Sequence, residues 1–241
     1  MTTEAFTGFR PAALQFLAGL RRNNRREWFE ERRPVYEAEL RAPMAAFVEE
    51  VDVRLAEVAP EIVGDPKRSL FRIHRDVRFS SDKSPYKTHA ACWFHHASAS
   101  HGVGATAAHG GAGFYFHMEP GRVRVGGGIW MPPRAALALI RKKIDEDHES
   151  LNALLEDRAI TRRFGMLDEE AMLTRMPRGY PDTHPAALLL KHQSFTLGRS
   201  LPEASVASAK LPDLVVREYA ALVPFVRWLN SALGLRTLAR R

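Results

Sequence analysis

Ser69-Leu70-Phe71-Arg72-Ile73-His74-Arg75-Asp76-Val77-Arg78-Phe79 is the stretch on which the reading of the fold turns. Phe71, Ile73, Val77 and Phe79 occupy alternate positions, and Arg72, His74, Asp76 and Arg78 fill the places between them. Side chains of a strand point to opposite faces in turn, so this pattern predicts a half-buried strand with one polar face. Arg75 falls on the apolar side. That parity leaves two roles open for it, a ligand anchor or one half of a core ion pair.

Working outward, strand-like runs follow at Ala90–His96, Gly113–Met118 and Arg122–Val125, and Glu119-Pro120-Gly121 joins the last two as a hairpin turn. The result is an antiparallel meander over 69–128, with Ala97–Gly113, rich in Ala, Ser, His and Gly, expected as a mobile hairpin loop. Upstream, Leu40, Met44, Phe47, Val51 and Leu55 form one helical stripe that Pro43 should kink or split. Pro11 and Pro34 suit first turns, and Asn24 followed by Arg25-Arg26-Glu27 has the shape of a capping box. Downstream, Leu137, Ile140 and Ile144, then Leu151, Leu154 and Leu155, are helical. The stripe Val215, Tyr219, Leu222, Val226, Leu229 and Leu233 is another helix, with a bend expected at Pro224. Strands grouped between helices predict an α+β fold in a single domain over 1–241: helical 1–58, sheet 69–130, mainly helical 133–235.

Composition excludes several classes. With 241 residues, 45% hydrophobic and 26% charged, the chain can bury a core without a staple and does not read as disordered. The one cysteine, Cys92, rules out a disulfide scaffold and sits in an apolar run. The opening residues lack the basic start and apolar run of a signal peptide, and no apolar stretch approaches a membrane span, so a soluble cytoplasmic protein with no membrane partner is expected.

Charge is distributed unevenly. Pro66–Lys87 holds seven Lys and Arg against two Asp, a local +5 out of a total of +7. Arg72 and Arg78 offer planar forks to phosphate or carboxylate oxygens, and a turn at Ser80–Pro85 would bring back Lys83, Tyr86 and Lys87. A phosphate- or carboxylate-bearing small molecule is therefore the expected partner, held by Arg72, Arg75, Arg78, Lys83, Tyr86 and Lys87. A second basic set, Arg178, His184 and Lys191, flanks a helix start that Asp182 or Thr183 would cap, and it is expected to converge on the first. For proton transfer the candidates are His74 and Asp76, although no nucleophile is visible.

Two other readings stay open. A pI near 9.8, Arg240 and Arg241, and Trp93 or Tyr86 as stacking rings would suit nucleic acid. Alternatively the cluster is scaffolding, its cations paired with Glu30, Glu31, Glu37, Glu49 and Glu50 of the N-terminal helices. No metal is expected, because His95 and His96 face opposite ways and His117 stands apart from any zinc spacing. No cofactor is expected either. Gly102-Val103-Gly104-Ala105-Thr106-Ala107 is followed by a strand where a dinucleotide fingerprint needs a helix, and Gly126-Gly127-Gly128 suits a bulge or a close crossing.

The order of residues from Arg72 to Lys87 resembles the signature of an uncharacterised, mainly bacterial family known as domain of unknown function 2461. Leu20–Phe29, Gly126–Pro132, Met176–Tyr180, His184-Pro185 and Lys191 are similar to other blocks of that family, so the resemblance covers nearly the whole chain. It implies functional weight for Arg72, Arg75, Asp76, Arg78, Phe79, Lys83 and Tyr86. It implies no reaction, substrate or cofactor. The long loop of 97–113 departs from the family pattern.

Overall fold

The computed structural model describes residues 5–78, 81–99 and 111–237. Helices α1 (Pro11–Arg22), α2 (Arg26–Glu31), α3 (Arg33–Val35) and α4 (Ala42–Val58) lead into the sheet. Pro11 opens α1, whose Ala13, Phe16, Leu17 and Leu20 are buried along one stripe. The kink expected at Pro43 takes the form of a π-helical stretch, Tyr36–Arg41, running into α4. Pro43 has no N–H for the carbonyl one turn back, and the wider π turn precedes it.

Strands β1 (Ile62–Val63), β2 (Ala90–His96), β3 (Gly113–Glu119), β4 (Arg122–Ile129) and β5 (Phe195–Leu201) form one antiparallel sheet in the order β1-β2-β3-β4-β5. Between β4 and β5 lie α5 (Arg134–Glu156), α6 (Arg158–Phe164) and α7 (Ala187–Lys191); α8 (Leu211–Ala232) closes the fold. The α+β class stands, with a central antiparallel sheet packed by helices from both ends of the chain. Strand β5 was not foreseen within the segment read as mainly helical. Its alternating Phe195, Leu197 and Leu201 are diluted by Gly198 and Arg199, and a three-helix crossover, not a hairpin turn, delivers it to β4.

One face of the sheet is the core. Cys92, Phe94, Phe114, Phe116, Met118, Val123 and Val125 are buried on it. Tyr219 of α8 stacks on Phe114 at 4.6 Å between ring centroids, and Phe47 of α4 meets Phe116 at 4.6 Å. The foreseen stripe of α8 is buried from Val215 to Leu229, and the helix runs through the exposed Pro224 without interruption. Two carboxylates are taken into the interior with their partners. Glu218 receives two hydrogen bonds from Arg163, at 2.6 and 2.8 Å, and Glu61 receives two from Arg227, at 2.7 and 3.2 Å. In β4, Gly128 has φ +132°, and a Cβ there would lie 2.0 Å from the Phe195 carbonyl oxygen, so the glycine run serves the backbone crossing to β5.

The segment 69–78 is extended but is not a continuous strand. It touches the chain leading into β2 at two isolated antiparallel bridges, Leu70 with Cys92 and His74 with Tyr86. The supporting bonds run from the N–H of Phe71 to Ala91 O (3.1 Å), Trp93 to Ser69 O (3.0 Å), Arg75 to Pro85 O (2.9 Å) and Lys87 to Ile73 O (2.7 Å). A bend at Ile73 separates the two bridges. Exposure still alternates as the sequence predicts: Arg72, His74, Asp76 and Arg78 are exposed, whereas Ile73 is buried and Arg75 is partly covered. Phe79 and Ser80 of the turn, and 100–110 of the loop, lie outside the described residues, as do Arg240 and Arg241.

Asn24 does not cap α2, which starts from Arg25 with no side-chain cap. Its amide instead reads the backbone of Tyr86 like one rung of a sheet: Nδ2 donates to the Tyr86 carbonyl at 2.9 Å, and Oδ1 accepts the Tyr86 N–H at 3.0 Å. The Tyr86 ring, 2% exposed, stacks on Phe29 at 4.3 Å. Helix α2 thereby fixes the end of the basic turn. Substituting Asn24→Ala strands a donor and an acceptor at a buried residue, and a loss of about 2 kcal/mol is expected from urea unfolding. Asn24→Asp restores only the acceptor and should fall between.

Candidate functional site on the open face of the sheet

Parity that buries Cys92 and Phe94 under the helices sends Lys87, His89, Ala91, Trp93 and His95 to the opposite face. The register continues this face with Tyr115, His117 and Glu119 on β3 and Arg122 and Arg124 on β4. It is less covered than the core face: Trp93, Tyr115, His117 and Arg124 are partly exposed, and Arg122 is exposed.

On β3 three polar groups at alternate positions are linked. Tyr115 Oη lies 3.0 Å from His117 Nδ1, and His117 Nε2 lies 3.2 Å from Glu119 Oε1. A carboxylate only accepts, so Nε2 carries the imidazole proton and Nδ1 accepts the Tyr115 hydroxyl. The His117 side chain is 12% exposed, and its ring stacks on that of His89 at 4.6 Å. Arg122 lies 3.8 Å from Glu119. Phe71 joins this group to the basic segment: its ring meets Tyr115 edge-on at 6.0 Å, and the Lys87 ammonium sits 5.1 Å from its centroid.

Burial and like charge shift these groups. Burial, with His117 and Lys87 beside it, pushes the His89 imidazole down to about 4. Burial also lowers His117, against the pull of Glu119, and raises the Tyr115 hydroxyl to about 12. Lys87 is lowered by burial and then by Arg72 and Arg75. At neutral pH the two imidazoles are free bases and the tyrosine keeps its proton.

The foreseen ligand residues divide into three groups. Arg72, Arg75 and Lys87 come together, because Arg72 and Arg75 are the charged neighbours of Lys87. Arg75 pairs with Asp82 of its own turn and is 32% exposed, so it is neither a core ion pair nor bare. Arg78 forks onto Asp76 at 3.0 and 2.7 Å, which with the Arg78 backbone N–H draws the Asp76 carboxyl down to about 2. Lys83 donates to the Val77 carbonyl at 2.9 Å, and His74 lies 5.0 Å from the buried Tyr86 ring. Arg78 and Lys83 thus tie the turn to itself.

The second basic set does not join the first. Residues 171–173 bond to 191–193, which lead into β5, three strand spacings or about 14 Å from β2. Arg178 and Lys191 line an open recess of about 530 Å³ with Arg175 and Tyr180. His184 is occupied at both nitrogens: Nδ1 accepts the Ala186 N–H at 3.0 Å, so Nε2 donates to Asp145 of α5 at 2.9 Å. The cap expected from Asp182 or Thr183 is absent, because α7 starts after Ala186.

A family model described as a conserved hypothetical protein, DUF2461, matches residues 12–228. The chain belongs to this family. No curated protein and no solved structure matches it. In this DUF2461 protein Arg72 and Arg75 lie beside Lys87 where the basic segment meets the open sheet face, whereas the Tyr86 ring is packed on Phe29. His89, Tyr115 and Glu119 were missed as site residues, and His117 was weighed only for metal. Their signal was the alternation Tyr115-x-His117-x-Glu119 on a strand already foreseen.

No helix among the described residues is long and apolar enough to cross a membrane.

The depressed His89 binds its proton later in the folded chain than in the unfolded one, so its contribution to stability is complete above the usual imidazole value of 6.5 and is lost as pH falls to about 4. Thermal melts across that window should show a falling midpoint, and His89→Gln should flatten part of the slope. Asp76 and Asp82 titrate below the window and do not mimic the effect.

Proposed function

We propose that this DUF2461 protein binds a small phosphate- or carboxylate-bearing molecule where the basic segment crosses the open face of the sheet. One observation carries the reading. Among the described residues no carboxylate pairs with the partly buried Lys87, and the guanidinium groups of Arg72 and Arg75 act on it as like charges. Crowding three cations at a half-buried place costs free energy in the empty protein, and an anion removes that cost.

The scaffold alternative needed acids from the N-terminal helices. Four of the five acids named for it are used within the helices, Glu30 by Arg33, Glu31 by Arg32, Glu37 by Arg41 and Glu50 by Arg54. Within the segment Asp76 holds Arg78 and Asp82 holds Arg75, and among the described residues no carboxylate pairs with Lys87 or Arg72, which are left to a guest. For nucleic acid, of the two stacking rings the Tyr86 ring is packed on Phe29, which leaves Trp93 alone, partly exposed on the open face. A compact anion fits the arrangement better than a polymer.

Titration calorimetry with inorganic phosphate, and separately with acetate, tests the reading. Each charge-assisted hydrogen bond contributes about 1.5–3 kcal/mol, so Lys87→Ala and Arg72→Ala should each weaken binding roughly tenfold or more. Lys191→Ala, on the far side of β5, should leave it unchanged. Affinity should fall as pH rises, starting below the ordinary lysine range, because Lys87 loses its charge early. Equal anion binding by Lys87→Ala and the parent would remove the basis for the site.

A further inference from the structure

We propose that Tyr115, His117 and Glu119 form a hydroxyl–imidazole–carboxylate relay that hydrolyses a phosphate monoester held by the neighbouring cations. The proposal rests on the anion reading for substrate position and goes beyond it in assigning a reaction. Its motive is geometric. A hydroxyl at 3.0 Å from an imidazole nitrogen, whose other nitrogen is 3.2 Å from a carboxylate, is the arrangement that activates a hydroxyl or a water in unrelated folds.

The three residues stand on one strand, so the pleat fixes their spacing. His89 stacks on His117 and holds its ring from the β2 side. The Phe71 ring touches both the Tyr115 ring, edge-on at 6.0 Å, and the Lys87 ammonium, 5.1 Å from its centroid, so one side chain joins the relay to the proposed phosphate anchor. His74 and Asp76, the candidates read from sequence, have no such link: His74 lies against Tyr86, and Asp76 is occupied by Arg78.

In the proposed step, water donates a hydrogen bond to the Tyr115 oxygen and attacks phosphorus. Its proton passes to that oxygen while the tyrosine proton passes to His117 Nδ1, and Glu119 holds the resulting imidazolium. A bond forms between the water oxygen and phosphorus, and the bond from phosphorus to the ester oxygen breaks. The departing oxygen leaves on the opposite side of phosphorus and takes a proton from solvent, while the imidazolium returns its proton through Tyr115 to solvent. The products are an alcohol and inorganic phosphate, with no oxidant, reductant or further reactant. Tyr115 and His117 are the catalytic residues, and Glu119 is a positioning residue.

The test uses the full chain with p-nitrophenyl phosphate, read as p-nitrophenolate release, beside calorimetric binding of inorganic phosphate. Saturable turnover is expected. Tyr115→Phe, which keeps the ring against Phe71, and His117→Asn should each lower kcat by about 100-fold or more with phosphate affinity retained. Glu119→Gln should lower kcat at unchanged KM and move the acid limb of the pH–rate profile to lower pH, because the carboxylate favours protonated His117. The charged and titratable groups facing His117 are Tyr115 and Glu119 on β3, His89 before β2, and Arg122 and Arg124 on β4. If His117→Asn does not fold, Tyr115→Phe decides alone.

Phosphate binding without turnover, or equal turnover by Tyr115→Phe, overturns the relay and leaves the anion site standing. Turnover that survives Lys87→Ala overturns the anion site and leaves the relay. Neither binding nor turnover overturns both.

Discussion

Register between β2, β3 and β4 is the constraint on which this structure depends. Tyr219 against Phe114 and Phe47 against Phe116 are large ring contacts that only one alignment of the strands permits. Shifting a strand by one residue would exchange its two faces, turning Tyr115, His117 and Glu119 into the core and Phe114, Phe116 and Met118 out to water. The polar cluster is thus placed by the apolar one. Its precision derives from packing on the far side of a sheet one residue thick.

A second, smaller constraint delivers the basic segment to that face. The Asn24 amide engages both backbone groups of Tyr86, and Phe29 receives its ring, so the N-terminal helices hold the far end of the turn. The near end is held by Leu70 and Cys92. Between these points the backbone forms few sheet bonds. The cations of the segment are positioned by two clamps, and this explains how a highly charged stretch can cross a sheet edge without forming a regular strand there.

Much of this was legible in the sequence, for physical reasons. Helical stripes such as Val215-Tyr219-Leu222 and the strand runs of β2 to β4 report burial directly, since periodicity and burial have the same cause. The alternation from Phe71 to Arg78 likewise foretold which side chains meet water. What escaped was long-range. Nothing in residues 69–78 shows that a bend at Ile73 divides the pairing into two isolated bridges, and nothing near Asn24 shows that its partner is Tyr86, sixty-two residues away. The pairing of acids was also out of reach, because Glu30 and Glu37 had equally plausible arginines within one helical turn. Strand β5 was hidden by Gly198 and Arg199, and with it the distance that separates Arg178 and Lys191 from the signature.

The solitary cysteine acquires a use from its address. Cys92 is fully buried at the centre of β2, on the core face and beside the strand that carries the site, and burial raises its thiol far from the reactive range. A thiol reagent can meet it only when the sheet opens. The molecule therefore carries a native gauge of its own breathing at the strand next to His117, readable without any introduced label.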